Sequence, residues 1–401
     1  MFQGVKICFL ADKHGLYDDR IYYKMAVPLQ QLGAEVHYLL IAKEAAEGQT
    51  PEGIHYRQLR LKTFSSNRYL NFVLKRLNPN NNYRILFRHA AQLQADIYHF
   101  HDLWINRIGR RLKDLDHRPA VFYDAREPYA EDYVSYVKTP KGLEFVIRAF
   151  ARWVDRWEKD RAKAYDLVIS NEETVRDHFI AKLGPERAEV LFNYSDMHQF
   201  VANIPWENKK YDLVYAGGIT ELRGVWTMLE AVERARKRGH ELKLLLLGPC
   251  YPASLEQELQ QAILARGLAG NVEWKGAVPY GEIPFYYNQS RVGLVLLMPV
   301  RTYEVSMPIK LFEYMTFGLP VIGSDMGHIQ KYLKADACGI AVDPTDSSAV
   351  ADAVIDLLSD REKYDRYSRN GRKAAMEKYR WELEFHRLTG FYKKALHERE
   401  E

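Results

Sequence analysis

The chain has 401 residues, 47% hydrophobic and 27% charged, with a net charge of only +4. Such a composition suits two or three folded domains, each able to bury a core, and excludes a disordered chain. The charge is too small to imply nucleic acid as a partner, and the longest apolar run, VGLVLLMPV at 292–300, is far short of the roughly 20 residues that cross a bilayer.

The amino terminus leads straight into strand character, so no signal peptide is expected. Cys8, Cys250 and Cys338 are dispersed without a CxxC pair, which points to a reducing compartment with neither disulfides nor a zinc site. A cytoplasmic location is expected. In chain order, VKICFLAD predicts a strand, DRIYYKMAVPLQQLG a helix and AEVHYLLI a strand. ADIYHFHD, AVFYDA and YDLVISN predict further strands separated by helical pieces. This alternation is the α/β pattern of a doubly wound parallel sheet. Residues 57–89 carry eight Lys or Arg and no acid. That run is read either as an amphipathic helix on an anionic membrane at the inner face of the cell membrane, or as a solvated face over a packed core.

A polar stretch without clear periodicity follows, and the pattern restarts with YDLVYAGG, LKLLLLGP, VEWKG and VGLVLL as strands. The expected division is a first Rossmann-like domain over 1–195, a linker at 196–209, a second domain over 210–375, and a closing helix over 376–401 that packs back toward the first. In such sheets ligands sit beyond the carboxyl ends of the strands, so an interdomain cleft is expected where the two sets of loops converge. His99, His101 and Asp102 end one strand. Three ligands on one strand end are poorly placed for closed coordination, so no metal is expected, and His101 and Asp102 are expected to face substrate.

The run PIKLFEYMTFGLPVIGSD predicts a short helix with Pro308 at its first position, a left-handed cap at Gly318 and a buried strand after Pro320. Lys310 and Glu313 fall on one face of that helix. On the residues alone they read as a surface ion pair worth about 0.3–0.5 kcal/mol.

Four segments in this order and spacing carry a resemblance: YAGGITELRG, VEWKGAVPYGEIPFYYNQSRVGLVLL, PIKLFEYMTFGLPVIGSD and CGIAVDPTDSSAVADAVIDLL. They resemble the carboxyl-terminal domain of the retaining GT-B glycosyltransferases of family four, and DDRI, HFHD and YDAREP resemble the first domain. The resemblance implies hexosyl transfer from a nucleotide-sugar such as a UDP- or GDP-sugar to a hydroxyl of a glycan or lipid-linked acceptor. It implies retention at the anomeric carbon, no cofactor, and a place in bacterial surface polysaccharide or glycolipid synthesis.

It also assigns roles. Backbone N–H groups near Ile309 and Leu311, with Lys310 and Arg223, would hold the diphosphate. Glu313 would accept from both ribose hydroxyls, Val278 would meet the base, and Gly15, Gly217 and Gly218 would let backbone approach the donor.

Three positions depart from the pattern. Val305 stands where the family often has a sugar-binding glutamate, with Glu304 one residue off; Gly218 replaces a common arginine; and Arg126 replaces a histidine. Arg126 then reads either as a contact to a carboxylate or phosphate on the substrate, or as a salt bridge to Glu127 or Asp124. A sugar-nucleotide epimerase and a non-catalytic nucleotide-binding subunit are the competing readings.

Overall fold

The computed structural model describes residues 2–60, 80–136, 144–202, 204–300, 303–304 and 307–400. The chain divides into two units, Met1–Asn193 with Glu382–Glu401, and Tyr194–Trp381. Most of the basic run at 57–89, and Val305, lie outside the described residues.

The first unit is built on β1 (Lys6–Ala11), β2 (Glu35–Ala42), β3 (Ala46–Gln49), β4 (His55–Arg60), β5 (Ile97–His101), β6 (Ala120–Ala125), β7 (Leu167–Ser170) and β8 (Ala188–Val190). They form one sheet in the order β3-β4-β2-β1-β5-β6-β7-β8, parallel except for the β3–β4 pair. Its helices are α1 (Val27–Gln31), α2 (Asn80–Leu93), α3 (Asn106–Lys113), α4 (Tyr129–Tyr136), α5 (Glu144–Ala162) and α6 (Glu173–Leu183). β1, β5 and β6 are covered on both faces, which explains their near-continuous apolar runs.

The helix expected over residues 19–33 is different in kind. Asp19–Ala26 winds as a π-helix and only Val27–Gln31 is α-helical. Asp18 starts it, its Oδ1 accepting from the N–H groups of Arg20 and Ile21 at 3.1 and 2.9 Å. The wider winding buries Arg20 and Lys24 completely; π-helical turns often mark functional sites.

The second unit carries β9 (Tyr211–Ala216), β10 (Leu244–Leu247), β11 (Val272–Trp274), β12 (Ser290–Val295), β13 (Val321–Ser324) and β14 (Gly339–Val342), all parallel in the order β11-β10-β9-β12-β13-β14. Its helices are α7 (Val225–Lys237), α8 (Leu255–Ala265), α9 (Ile283–Asn288), α10 (Ile309–Thr316), α11 (Gly327–Ala335), α12 (Ser347–Ser359) and α13 (Arg361–Glu377). All four leucines of β10 are buried, each contributing about 1.5–3 kcal/mol on transfer from water.

The segment expected as a linker belongs to this unit. Ala202 N–H donates to Asn288 Oδ1 at 2.8 Å, Arg291 donates to the Trp206 carbonyl at 2.9 Å, and the Trp206 ring meets Tyr364 edge-on. The last helix, α14 (Trp381–Glu400), lies almost wholly in the first unit, where Tyr392 bonds His99 Nδ1 at 2.5 Å and Arg399 donates to the Asp96 carbonyl at 2.8 Å. Residues 376–381, expected with that helix, stay with the second unit. No helix among the described residues is long and apolar enough to cross a membrane.

Candidate functional site

In each sheet the strand order reverses once near the middle, between β1 and β5 in the first unit and between β9 and β12 in the second. The residues singled out in the sequence gather at the carboxyl ends of these strands, where doubly wound sheets bind ligands.

In the second unit, β9 leads into Gly217 and Gly218. Gly217 has φ +128°, and a Cβ there would stand 3.0 Å from Lys310 Nζ and 3.6 Å from an Arg223 guanidinium nitrogen, so only glycine suits the position. Arg223 precedes the following helix rather than opening it. It closes a 3-10 turn, Glu221–Arg223, capped by Thr220; Gly224 at φ +80° then turns the chain into α7. From there Arg223 reaches back to the Gly218 carbonyl at 3.3 Å. Burial works against its charge, but the Tyr215 and Tyr303 phenols outweigh that and hold its pKa above the usual arginine value.

α10 begins one residue later than expected, with Pro308 as its N-cap rather than its first turn, and Gly318 ends it at φ +66°. The surface ion pair does not form. Lys310 Nζ is shielded from solvent, lies 3.8 Å over the Tyr215 ring and has no hydrogen-bond partner among the described residues. Burial first, then the Arg223 charge, push its pKa well below the ordinary lysine value, although Glu313 pulls the other way. Glu313 is 7% exposed, and its Oε2 accepts from Tyr287 OH at 2.7 Å. Two cations thus meet at a glycine turn beside a helix amino end. One is buried without an ion-pair partner among the described residues, and that arrangement suits an anion.

Ile309 and Leu311 lie in the first turn of α10, and Leu311 is buried. Val278 sits half-buried in the loop after β11. Glu304 is exposed, and its carbonyl packs where a Cβ on Gly327 would fall.

In the first unit, four charged groups converge. His14 Nδ1 lies 2.9 Å from Asp18 Oδ2, and its Nε2 lies 3.0 Å from Asp102 Oδ1. Arg126 bonds Asp18 Oδ1 at 3.2 Å and stands 3.1 Å from His14 Nδ1, so its ion pair is with Asp18 rather than Glu127 or Asp124. Gly15 is exposed, and a Cβ there would meet nothing within 4 Å.

His101 and Asp102, expected to face substrate, are buried. They are 0% and 1% exposed, and Asp102 Oδ2 accepts from the backbone N–H groups of Asp12 and Lys13, each at 3.0 Å. His99, His101 and Asp124 form the one group among the described residues able to hold a metal ion. The two rings stack 4.7 Å apart at 18°, so their in-plane lone pairs run side by side, and Arg20 Nε already donates to Asp124 Oδ2 at 2.8 Å. His99 Nδ1 bonds Tyr392, while His99 Nε2 and both His101 ring nitrogens have no hydrogen-bond partner among the described residues, so the trio is a buried polar cluster that is only partly satisfied.

Sequence reasoning missed His14 and Asp18. The signals were their i, i+4 spacing just after β1 and the place of Asp18 at the head of the DDRI segment. Burial alone would lower the His14 pKa, but its bonds to Asp102 and Asp18 outweigh it and raise the value to about 9 from 6.5. Because the folded value is the higher one, the stabilisation is complete below pH 6.5 and is lost as pH rises through about 9. The expected result is that the melting temperature of wild type exceeds that of His14→Gln at pH 6 and that the gap closes by pH 10. A constant gap would assign His14 no charge.

Residues 196–374 match the family described as Glycosyl transferases group 1. The chain is 28% identical over 268 residues to the alpha-D-kanosaminyltransferase of Streptomyces kanamyceticus, spanning 63% of this chain and 65% of that protein. It is 26% identical over 174 residues to a GDP-mannose-dependent alpha-(1-6)-phosphatidylinositol monomannoside mannosyltransferase of Mycobacterium tuberculosis, spanning 42% and 44%. Among solved structures it resembles Anabaena HepE in complex with UDP and glucose, with TM-score 0.70 and 15% identity over 97% of this chain and 100% of that one. It likewise resembles the sucrose-phosphate synthase of Thermosynechococcus elongatus, with TM-score 0.71 and 16% identity over 97% and 98%. Residues 196–374 match the group 1 glycosyltransferases, and the chain has the GT-B fold of two Rossmann-like domains.

Proposed function

We propose that the chain is a retaining hexosyltransferase, cytoplasmic in location, that moves a sugar from a UDP- or GDP-sugar to a hydroxyl of a glycan or lipid-linked acceptor in bacterial surface polysaccharide or glycolipid synthesis. The observation that carries this reading is the buried Lys310 Nζ, without a hydrogen-bond partner among the described residues, beside Arg223 at the Gly217–Gly218 turn. A site that spends folding stability on an uncompensated cation is built for a ligand that brings the counter-charge. A nucleoside diphosphate supplies it, with its phosphates at the amino end of α10 and its ribose toward Glu313.

As the sugar leaves, negative charge grows on the diphosphate. Lys310, Arg223 and the N–H groups of Ile309 and Lys310 at the amino end of α10 stabilise it without moving, whereas the Leu311 N–H already donates to the Pro308 carbonyl at 3.0 Å; fixed groups of this kind usually lower the barrier more than any other feature of an enzyme site. In a front-face transfer the departing phosphate oxygen takes the acceptor proton, so the protein needs no separate base and no metal, and retention follows. The donor site also suits the ligands named for similar proteins, which are UDP in one and GDP-mannose in another.

A thermal-shift screen of UDP- and GDP-sugars tests the donor, since a ligand at 100 times its dissociation constant stabilises by about 2.7 kcal/mol. Product anomeric configuration by proton NMR tests retention. Turnover of the donor with no acceptor would replace this reading by an epimerase; binding without transfer to any acceptor would replace it by a nucleotide-binding subunit.

Arg126 is proposed to meet an acidic group on the acceptor. Its side chain keeps 15% exposure beside His14, and a charged hydrogen bond contributes about 1.5–3 kcal/mol. Arg126→Ala is expected to raise the acceptor KM about tenfold or more while kcat changes less. Unchanged values of both would leave Arg126 to its Asp18 pair alone.

A further inference from the structure

Tyr251 follows β10 and stands where the cations of the second unit gather. It is 59% exposed, and among the described residues no other ring stacks on it. Single exposed aromatic residues are ordinary on protein surfaces. This one is held in place. A Cβ on Gly218 would lie 3.2 Å from the ring carbons Cδ2 and Cε2 of Tyr251 and 3.3 Å from an Arg223 guanidinium nitrogen, so ring edge and cation flank the space that the glycine leaves open.

The backbone beneath the ring is tied on both sides. Gly217 N–H donates to the Leu247 carbonyl and Ile219 N–H to the Pro249 carbonyl, each at 2.8 Å, and Tyr251 N–H donates to the Ile219 carbonyl at 2.9 Å. The loops after β9 and β10 therefore pair past the ends of their strands, with a parallel bridge between Ile219 and Cys250. Gly248, at φ +138°, permits this approach, since a Cβ there would fall 2.0 Å from the Gly217 carbonyl oxygen. On the other side, Gly248 N–H donates to the Gly276 carbonyl at 2.7 Å, and Trp274 Nε1 donates to the Gly248 carbonyl at 2.9 Å. The loops after β9, β10 and β11 thus form one hydrogen-bonded shelf, and Tyr251 belongs to its middle member.

The donor-site reading, on which this inference rests, puts the phosphates at Gly217, Gly218 and Lys310 beyond β9 and the base by Val278 beyond β11. Neighbouring strands lie about 4.8 Å apart, so those two places are separated by about 10 Å, a span that a nucleoside diphosphate covers. The end of β10 lies between them in the sheet. We propose that Tyr251 is a donor-binding residue whose ring stacks on the nucleobase as the nucleoside crosses this shelf. Stacking on an aromatic side chain tolerates any base, because every base has a π-face. A tyrosine held by its backbone gives that contact at small entropic cost, having only two side-chain torsions to fix. The other parts of the donor fit the ring worse. The ribose is directed to Glu313, and the sugar leaves from the far end of the diphosphate, away from β11.

The test is calorimetric titration of the full chain, as wild type, Tyr251→Ala and Tyr251→Phe, with UDP, GDP and inorganic pyrophosphate. Tyr251→Ala should weaken the better-bound nucleotide by about 5- to 100-fold, the range for loss of one base–aromatic stack. Tyr251→Phe keeps the ring and should bind nearly as wild type does. Pyrophosphate carries no base and should bind wild type and Tyr251→Ala alike. Both variants should keep the wild-type circular dichroism and ligand-free melting temperature, since the side chain is exposed. Unchanged nucleotide affinity in Tyr251→Ala overturns the proposal, and would include the case of a ring that meets only the transferred sugar. An equal loss in Tyr251→Phe overturns it by assigning the effect to the hydroxyl, and an equal loss for pyrophosphate by assigning it to the phosphates. Wild type that binds neither nucleotide would remove the donor-site reading and this role with it, whereas wild type that binds and a Tyr251→Ala that binds equally would remove this role alone.

Discussion

Glu313→Gln should weaken binding of the nucleoside diphosphate by roughly 10- to 100-fold, the loss expected when hydrogen bonds to a charged acceptor worth about 1.5–3 kcal/mol are removed. The substitution keeps shape and volume, so the effect lies in charge and donor pattern. Tyr287 OH donates to Glu313 Oε2 at 2.7 Å. In the variant the amide oxygen would turn toward that hydroxyl, because Tyr287 is buried and the bond anchors the side chain. The amide NH2 would then face the ribose hydroxyls and offer a donor where two acceptor sites are needed. Tyr287→Phe removes the anchor but leaves the carboxylate, so its loss of affinity should be smaller. Calorimetric titration with UDP and GDP measures both. Wild-type affinity in Glu313→Gln would make the residue a structural partner of Tyr287 and nothing more.

That expectation rests on a helix whose features were legible in the sequence. Pro308, the apolar run and Gly318 fixed α10 to within one residue, because caps and breakers act locally. The same was true of the buried parallel strands, whose apolar runs need no partner to be recognised. The edge strands β3 and β8, and β4 beside β3, were not recognisable, since they are short and β3 and β4 are exposed or half-buried along their length. The π-helix at Asp19–Ala26 has nearly the apolar pattern of an α-helix and gives no separate sequence signal.

The site residues divide in the same way. Lys310 and Glu313 came from one contiguous run, and Arg223 from a second segment of the same resemblance. The His14, Asp18, Asp102 and Arg126 group is spread over more than a hundred residues and exists only because β1, β5 and β6 are neighbours in the sheet. Register of that kind is set by the whole fold. It also explains why His101, at the end of an apolar strand, turned inward: alternate residues of a strand covered on both faces have no solvent side to reach.

Lys310→Met should lower kcat/KM by roughly 10²- to 10³-fold, the range seen when one preorganised charge-stabilising group is removed, and yet make the ligand-free protein more stable. The two effects share one cause. An ammonium shielded from water without a hydrogen-bond partner is a cost to the folded state. Methionine has similar length, needs no partner, and its sulfur packs well on the Tyr215 ring that Lys310 now covers at 3.8 Å. Relief of an unsatisfied buried group is worth roughly 1–3 kcal/mol.

The sign with pH separates this account from simple repacking. The folded pKa of Lys310 lies well below its unfolded value of 10.5, so the unfolded chain binds more protons between the two and wild-type stability rises with pH across that window. The stability advantage of Lys310→Met should therefore be greatest at lower pH and shrink as pH climbs toward 10.5. Binding a diphosphate restores the missing counter-charge and draws the Lys310 pKa back up, so binding should take up protons. Titrations of UDP or GDP in buffers of different ionisation enthalpy, across neutral and mildly alkaline pH, measure that uptake directly. It should be present in wild type and absent in Lys310→Met. A variant that loses stability, or that takes up protons on binding as wild type does, would mean that Lys310 is a packing residue and that Arg223 and the amino end of α10 carry the anion without it.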